Sequence, residues 1–172
     1  MKSHSLFTFD RPVGMITAAK PKFPTENDLG DDHSRMAAMS QELAAKGIEH
    51  EQTMGKYGDP EPTFLTYGMP KHELMAMGKK YGQESVYHHE NGARHMIFTN
   101  GPDEGMYHDT KPGHQEWTEE QGPPADNYTH IPGRGYVSFT PDFSRLHPVE
   151  HPVTKHEIGW AIFCMLKRVL ND

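Results

Sequence analysis

The chain has 172 residues, a formal net charge of −7 with its histidines neutral, and a hydrophobic fraction of 34%. That length suits one ordinary domain and leaves too little apolar material for two cores. No stretch approaches the ~20 consecutive apolar residues that cross a bilayer, and Met1 to Asp10 lacks the apolar segment of a signal peptide, so a cytoplasmic protein with no membrane partner is expected. The acidic balance, with no basic run longer than Lys79-Lys80, argues against nucleic acid, whose backbone is bound by clustered Lys and Arg. One cysteine, Cys164 in an apolar segment, offers no disulfide framework.

Val13 to Ala19 reads as a short buried strand closed by a turn at Lys20-Pro21. Asp32 or Ser34 then caps a helix carrying Met36, Met39 and Leu43 at helical spacing, and Gly47 ends it with Ile48 placed for a Schellman contact. Strands follow at Ile48 to Thr53 and Thr63 to Tyr67, and Gly68 and Pro70 stop the second. Leu74, Met77 and Tyr81 share one face of a second helix that ends at Gly82, and Gly78 on that face implies close approach to a neighbour. Glu84 to Glu90 and Arg94 to Thr99 flank Asn91-Gly92, the dipeptide best suited to the positive φ angles of a tight hairpin.

From Asn100 to Arg134 there is no periodicity, only Gly, Pro, His and acids, so 101–134 is expected to be one long polar loop. Gly135 to Thr140 alternates like a strand. Residues 154–171 are expected to form an amphipathic helix capped by Thr154, with Ile158, Ile162, Met165 and Val169 on an apolar face suited to a partner or a second copy of the chain. The expected fold is thus a single α+β domain over 1–172. Its mixed sheet carries helices on one face, and the element order fits a ferredoxin-like βαββαβ core followed by a C-terminal strand and helix.

The residues Ile16-Thr17-Ala18, Asn27, Arg35, Glu61-Pro62-Thr63-Phe64 and Tyr81-Gly82-Gln83-Glu84-Ser85 occur in an order that resembles a family of bacterial and phage domains of unknown function. That family's pattern is an Ile-Thr-Ala strand, a loop with Asn before a helix, a Glu-Pro-Ser-Phe strand and a helix ending in Phe-Gly-Gln. The resemblance spans roughly Phe9 to Phe98. The chain departs from it at Lys20, where the family has Asn before Pro21. What the resemblance implies is a fold relative and a phage or bacterial setting, in a host cell or a virion; it implies no chemistry.

Two constellations carry functional expectations. Thr17, Asn27, Arg35, Glu61 and Gln83 sit at the ends of predicted elements, where ligand clefts of α/β domains open. His88 and His95 on the hairpin, with His108, Asp109 and His114 in the long tract, are residue types that bind divalent metals. The string His147-Pro148-Val149-Glu150-His151 matches a zinc-peptidase pattern in reverse, but Pro148 and Pro152 oppose the helix it needs. No nucleophile motif or phosphate-binding glycine loop is present. Two functions follow: a phage-encoded accessory protein that binds a macromolecule, or a small histidine-dependent, metal-assisted enzyme.

Overall fold

The computed structural model describes residues 9–25, 29–111, 115–125 and 127–150. The elements run β1 (Val13–Ile16), α1 (Asp32–Ala45), β2 (Glu49–Tyr57), β3 (Asp59–Tyr67), α2 (Lys71–Lys80), β4 (Ser85–Glu90), β5 (Ala93–Phe98), β6 (Met106–Asp109), β7 (Gln115–Trp117), β8 (Tyr128–Ile131), β9 (Gly135–Ser138) and β10 (His147–Pro148). All ten strands join one sheet in the spatial order β10-β6-β5-β4-β1-β3-β2-β8-β9-β7, antiparallel at every step.

This corrects the expected fold class. Among the described residues the architecture is neither a mixed sheet nor a ferredoxin-like α+β domain, but one large antiparallel sheet with two short helices. The tract 101–134, expected as a loop, carries β6, β7 and β8. Each of these strands is only three or four residues long, too short to show a period of two. Their packed side chains are also largely His, Tyr and Trp rather than aliphatic. The expected 154–171 helix and its interface residues Ile158, Ile162, Met165 and Val169 lie outside the described residues, as do Asn27 and His114.

Alternation along the strands sorts the apolar residues into two cores. Ile16, Phe64, Val86 and Ile97 face the helices and pack on Met36, Met39, Leu43, Leu74 and Met77. Val13, Met15 and Leu65 face the other way and meet Ile131, Val137 and Phe139 from the far part of the sheet. That second contact requires the sheet to curl. The chain after β9 returns to β6: Thr110 bridges Pro141, Lys111 N donates to Thr140 O at 2.8 Å, and Asp142 N donates to Asp109 O at 2.7 Å. The result is a curled sheet with a filled concave face and helices on the convex one.

The helices form for local reasons. Asp31, one residue before the expected cap, accepts from Ser34 N at 2.8 Å. Gly47, at φ +69°, lets Ile48 N reach Leu43 O at 2.9 Å and so ends α1. The hairpin between β4 and β5 is the expected one, with Glu90 opposite Ala93 and positive φ at both Asn91 and Gly92. No helix among the described residues is long and apolar enough to cross a membrane.

Candidate functional site

β1 is shorter than its neighbours. Its last partners are Phe64 on β3 and Tyr87 on β4, yet β3 extends back to Asp59 and β4 to Ser85. Where β1 leaves the sheet at Thr17 a notch remains, and a cleft of about 270 Å³ opens there on the concave side. Tyr57 at the end of β2 and Tyr87 on β4 stack across its floor, centroids 4.9 Å apart and planes 24° apart. These strands are not sheet neighbours, so only the curl brings the rings together.

Backbone fixes the rim. Thr17 Oγ1 donates to Pro62 O at 2.7 Å and accepts from Ala19 N at 2.9 Å, which turns the chain out of the sheet. Lys20 is held at φ +44°, rare for a residue with a side chain, by Lys20 N donating to Asp32 Oδ1 at 2.8 Å. That bond, then the nearby Arg35, keeps the Asp32 carboxyl below the usual range. Arg35 donates from Nε to Ala18 O at 3.1 Å and also binds Gly30 O and Asp32, so it braces this loop from behind and pairs with Asp32 rather than Glu61. Gly82 O accepts from Lys22 N at 3.0 Å and Phe23 N at 3.1 Å. A Cβ at Gly82 would lie 2.2 Å from Phe23 O, and its φ of +67° disfavours any other residue.

Within this frame three residues expected from the sequence converge. Thr17, Glu61 and Gln83 all line the cleft. Gln83 is 7% exposed. Its Nε2 donates to Ala19 O at 3.1 Å and Tyr81 O at 3.4 Å, which orients the amide and leaves Oε1 without a partner among the described residues. The Glu61 carboxyl is half-buried and likewise accepts no hydrogen bond from them; burial, opposed by Lys20 and Lys22 and reinforced by Asp32, raises it above the ordinary carboxylate value. Burial, opposed by a bond to the Thr129 hydroxyl, pushes Tyr57 up to about 12, and burial with Tyr57 alongside raises Tyr87 as well. Lys22 is spoken for by Glu84.

The opposite end of the sheet carries a second charged hollow, lined by Arg11, Glu49, Glu51, Tyr67 and Arg134 among others. There most of the charged side chains are engaged, Asp10 at the exposed rim excepted. Arg11 bridges Glu49 at 2.8 Å and lies 5.0 Å over the Tyr67 ring, Tyr67 donates to Glu51, and Arg134 lies 5.2 Å over Phe9.

The metal candidates divide between faces. His88 and His95 are cross-strand partners, and His95 pairs with Asp109. Asp109 contacts His95 Nε2 at 3.2 Å and His147 Nε2 at 3.5 Å. His108 points to the other face and meets Arg145 O at 2.6 Å. His88 is buried and bonded to the Met69 backbone, with Nε2 unpartnered; burial, with Lys71 and His95 nearby, lowers it to about 4. Among the described residues no three His, Cys, Asp or Glu side chains converge to hold a metal ion. His147 lies in strand β10, not on the helix that the reversed peptidase string would need.

Sequence reasoning missed Tyr57, Asp59 and Tyr87. Nothing in their local pattern marks them, because they meet only through the sheet register and curl. No protein-family model matches this sequence, and no curated protein matches it either. The geometry alone carries the functional reading.

Proposed function

We propose that the chain is a binding module: a bacterial or phage-encoded accessory protein of the cytoplasm that recognises a macromolecular partner through the cleft at the end of β1. One observation supports this reading. Side chains from three separate parts of the chain, Thr17, Glu61 and Gln83, meet at one opening, and two of them present polar atoms that no described residue satisfies. Buried polar groups normally find partners within the fold, so unmatched ones facing an opening mark a place where a ligand supplies the match.

Peptides selected from an unbiased display library on the wild-type protein test this reading. Asp59 is exposed at the cleft mouth, so Asp59→Trp occludes the opening without touching the core. The recovered peptides should lose at least about tenfold in affinity on Asp59→Trp, the loss of one good contact, and keep it on Arg11→Ala at the opposite end. The reverse pattern would overturn the assignment.

A further inference from the structure

The chemistry of the cleft selects its ligand, if the cleft is the recognition site just proposed. We propose that it takes an organic cation, a primary ammonium or guanidinium group on a short aliphatic stem, seated on the Tyr57–Tyr87 floor and held by Glu61, Asp59 and Gln83 Oε1.

Three observations lead there. The first is the hydrogen-bonding sense of the uncommitted atoms. The Gln83 side chain can only accept here, because both Nε2 protons go to Ala19 O and Tyr81 O and what remains is the carbonyl Oε1. The Glu61 carboxylate accepts, and so does Asp59. A ligand satisfying all three must bring several donors on one small group, as an ammonium or guanidinium does.

The second is charge. Lys22 and Glu84 neutralise one another, which leaves Asp59 and Glu61 against Lys20 alone among the charged residues lining the cleft. Lys20 is exposed, so water satisfies its ammonium at little cost. The half-buried Glu61 and the largely buried Gln83 reach water only through the cleft, and groups partly held out of water gain more from a partner than an exposed one does.

The third is the floor. Tyr57 and Tyr87 cover one face of each other in their stack, and what they leave to the cleft is apolar ring surface that packs against an aliphatic stem. An anion would meet two carboxylates there, and a neutral polar group would leave Glu61 unmatched.

The test uses the full-length, isotope-labelled protein and n-butylammonium, with 1-butanol and butyrate as neutral and anionic counterparts of similar shape. Saturable backbone shifts at Thr17, Gln83 and Ser85 with butylammonium alone, weakened at least tenfold by Glu61→Gln and less by Asp59→Asn, support the inference. Melting curves establish that both variants fold. If Nα-acetyl-lysine amide binds more tightly than butylammonium, the cation comes from a protein side chain; equal affinity assigns it to a free amine. Equal binding of butanol or butyrate overturns the cation. No response to butylammonium, while Asp59→Trp still abolishes binding of the selected peptides, also overturns the cation but leaves the cleft as recognition site. If Asp59→Trp costs those peptides nothing, the recognition site falls and this inference falls with it.

Discussion

The two ends of the curled sheet hold nearly the same inventory of acids, bases and tyrosines and use it differently. At the Arg11 end most of the polar side chains hold one another: Arg11 with Glu49, Tyr67 with Glu51, Arg134 over Phe9, while Asp10 stands at the exposed rim. At the Thr17 end Gln83 Oε1 and the Glu61 carboxyl accept no hydrogen bond from the described residues. The cause is the length of β1, which runs only from Val13 to Ile16 between longer neighbours. Where a strand is missing, side chains that would have faced it face an opening. Charge alone therefore does not define a site in this protein; unmatched, desolvated charge does.

The largest expected effect comes from the backbone that shapes the Thr17 end. Gly82→Ala should cost about 3 kcal/mol or more, because it adds a left-handed-region penalty to a backbone clash with Phe23. Urea denaturation measures it, and a loss under about 1 kcal/mol, the size of an ordinary substitution, would show that the cleft wall yields easily.

A buried unmatched group with no opening should behave differently from Glu61, and His88 supplies that control. Its protonation is depressed from 6.5 to about 4 in the folded protein, so its contribution to stability is present above pH 6.5 and drains away as the pH falls toward 4. The loss is on the order of 3 kcal/mol. His88→Leu should flatten this acid limb in a pH series of melts, with no change in ligand binding.

A smaller pair of effects has opposite signs. Glu61, raised by burial, contributes stability that is fully present below the ordinary carboxylate range and is lost as the pH rises through its folded value. Glu61→Gln should therefore melt higher than wild type at pH 7 and no higher in strong acid. Glu49, lowered first by its bond to Arg11, works the other way: its contribution is present above the ordinary carboxylate value and is lost as the pH falls. Glu49→Gln should melt slightly lower than wild type at pH 7. The smallest effect is that of Arg11→Ala. Both partners in that bridge are largely exposed, so its melting temperature should barely move. Equal signs for Glu61→Gln and Glu49→Gln at neutral pH would erase the distinction between the two ends.

Much of the local structure was legible because it depends on neighbours in sequence. Met36, Met39 and Leu43 mark α1 by spacing, and Asn91-Gly92 marks its hairpin by conformational tolerance. Thr17, Glu61 and Gln83 stand out because they fall at the ends of predicted elements. The rest was not legible because it depends on register. Tyr57 and Tyr87 meet across a concave face that no local pattern announces. The strands between 101 and 134 are too short and too rich in His, Tyr and Trp to show alternation. Once Met106–Asp109 is a strand, however, His108 and Asp109 must point oppositely, which separates the metal candidates at a stroke. The growth of the sheet to ten antiparallel strands follows from those same unrecognised segments.

The central claim is that Glu61 stands unmatched and partly desolvated at an opening, and a carbon-13 NMR titration of its side-chain carboxyl tests that most directly. The account predicts a midpoint above the ordinary carboxylate range in the free protein, moving down when butylammonium is added. A midpoint below that range in the free protein, the signature of a carboxylate already paired within the fold like Glu49, would contradict it.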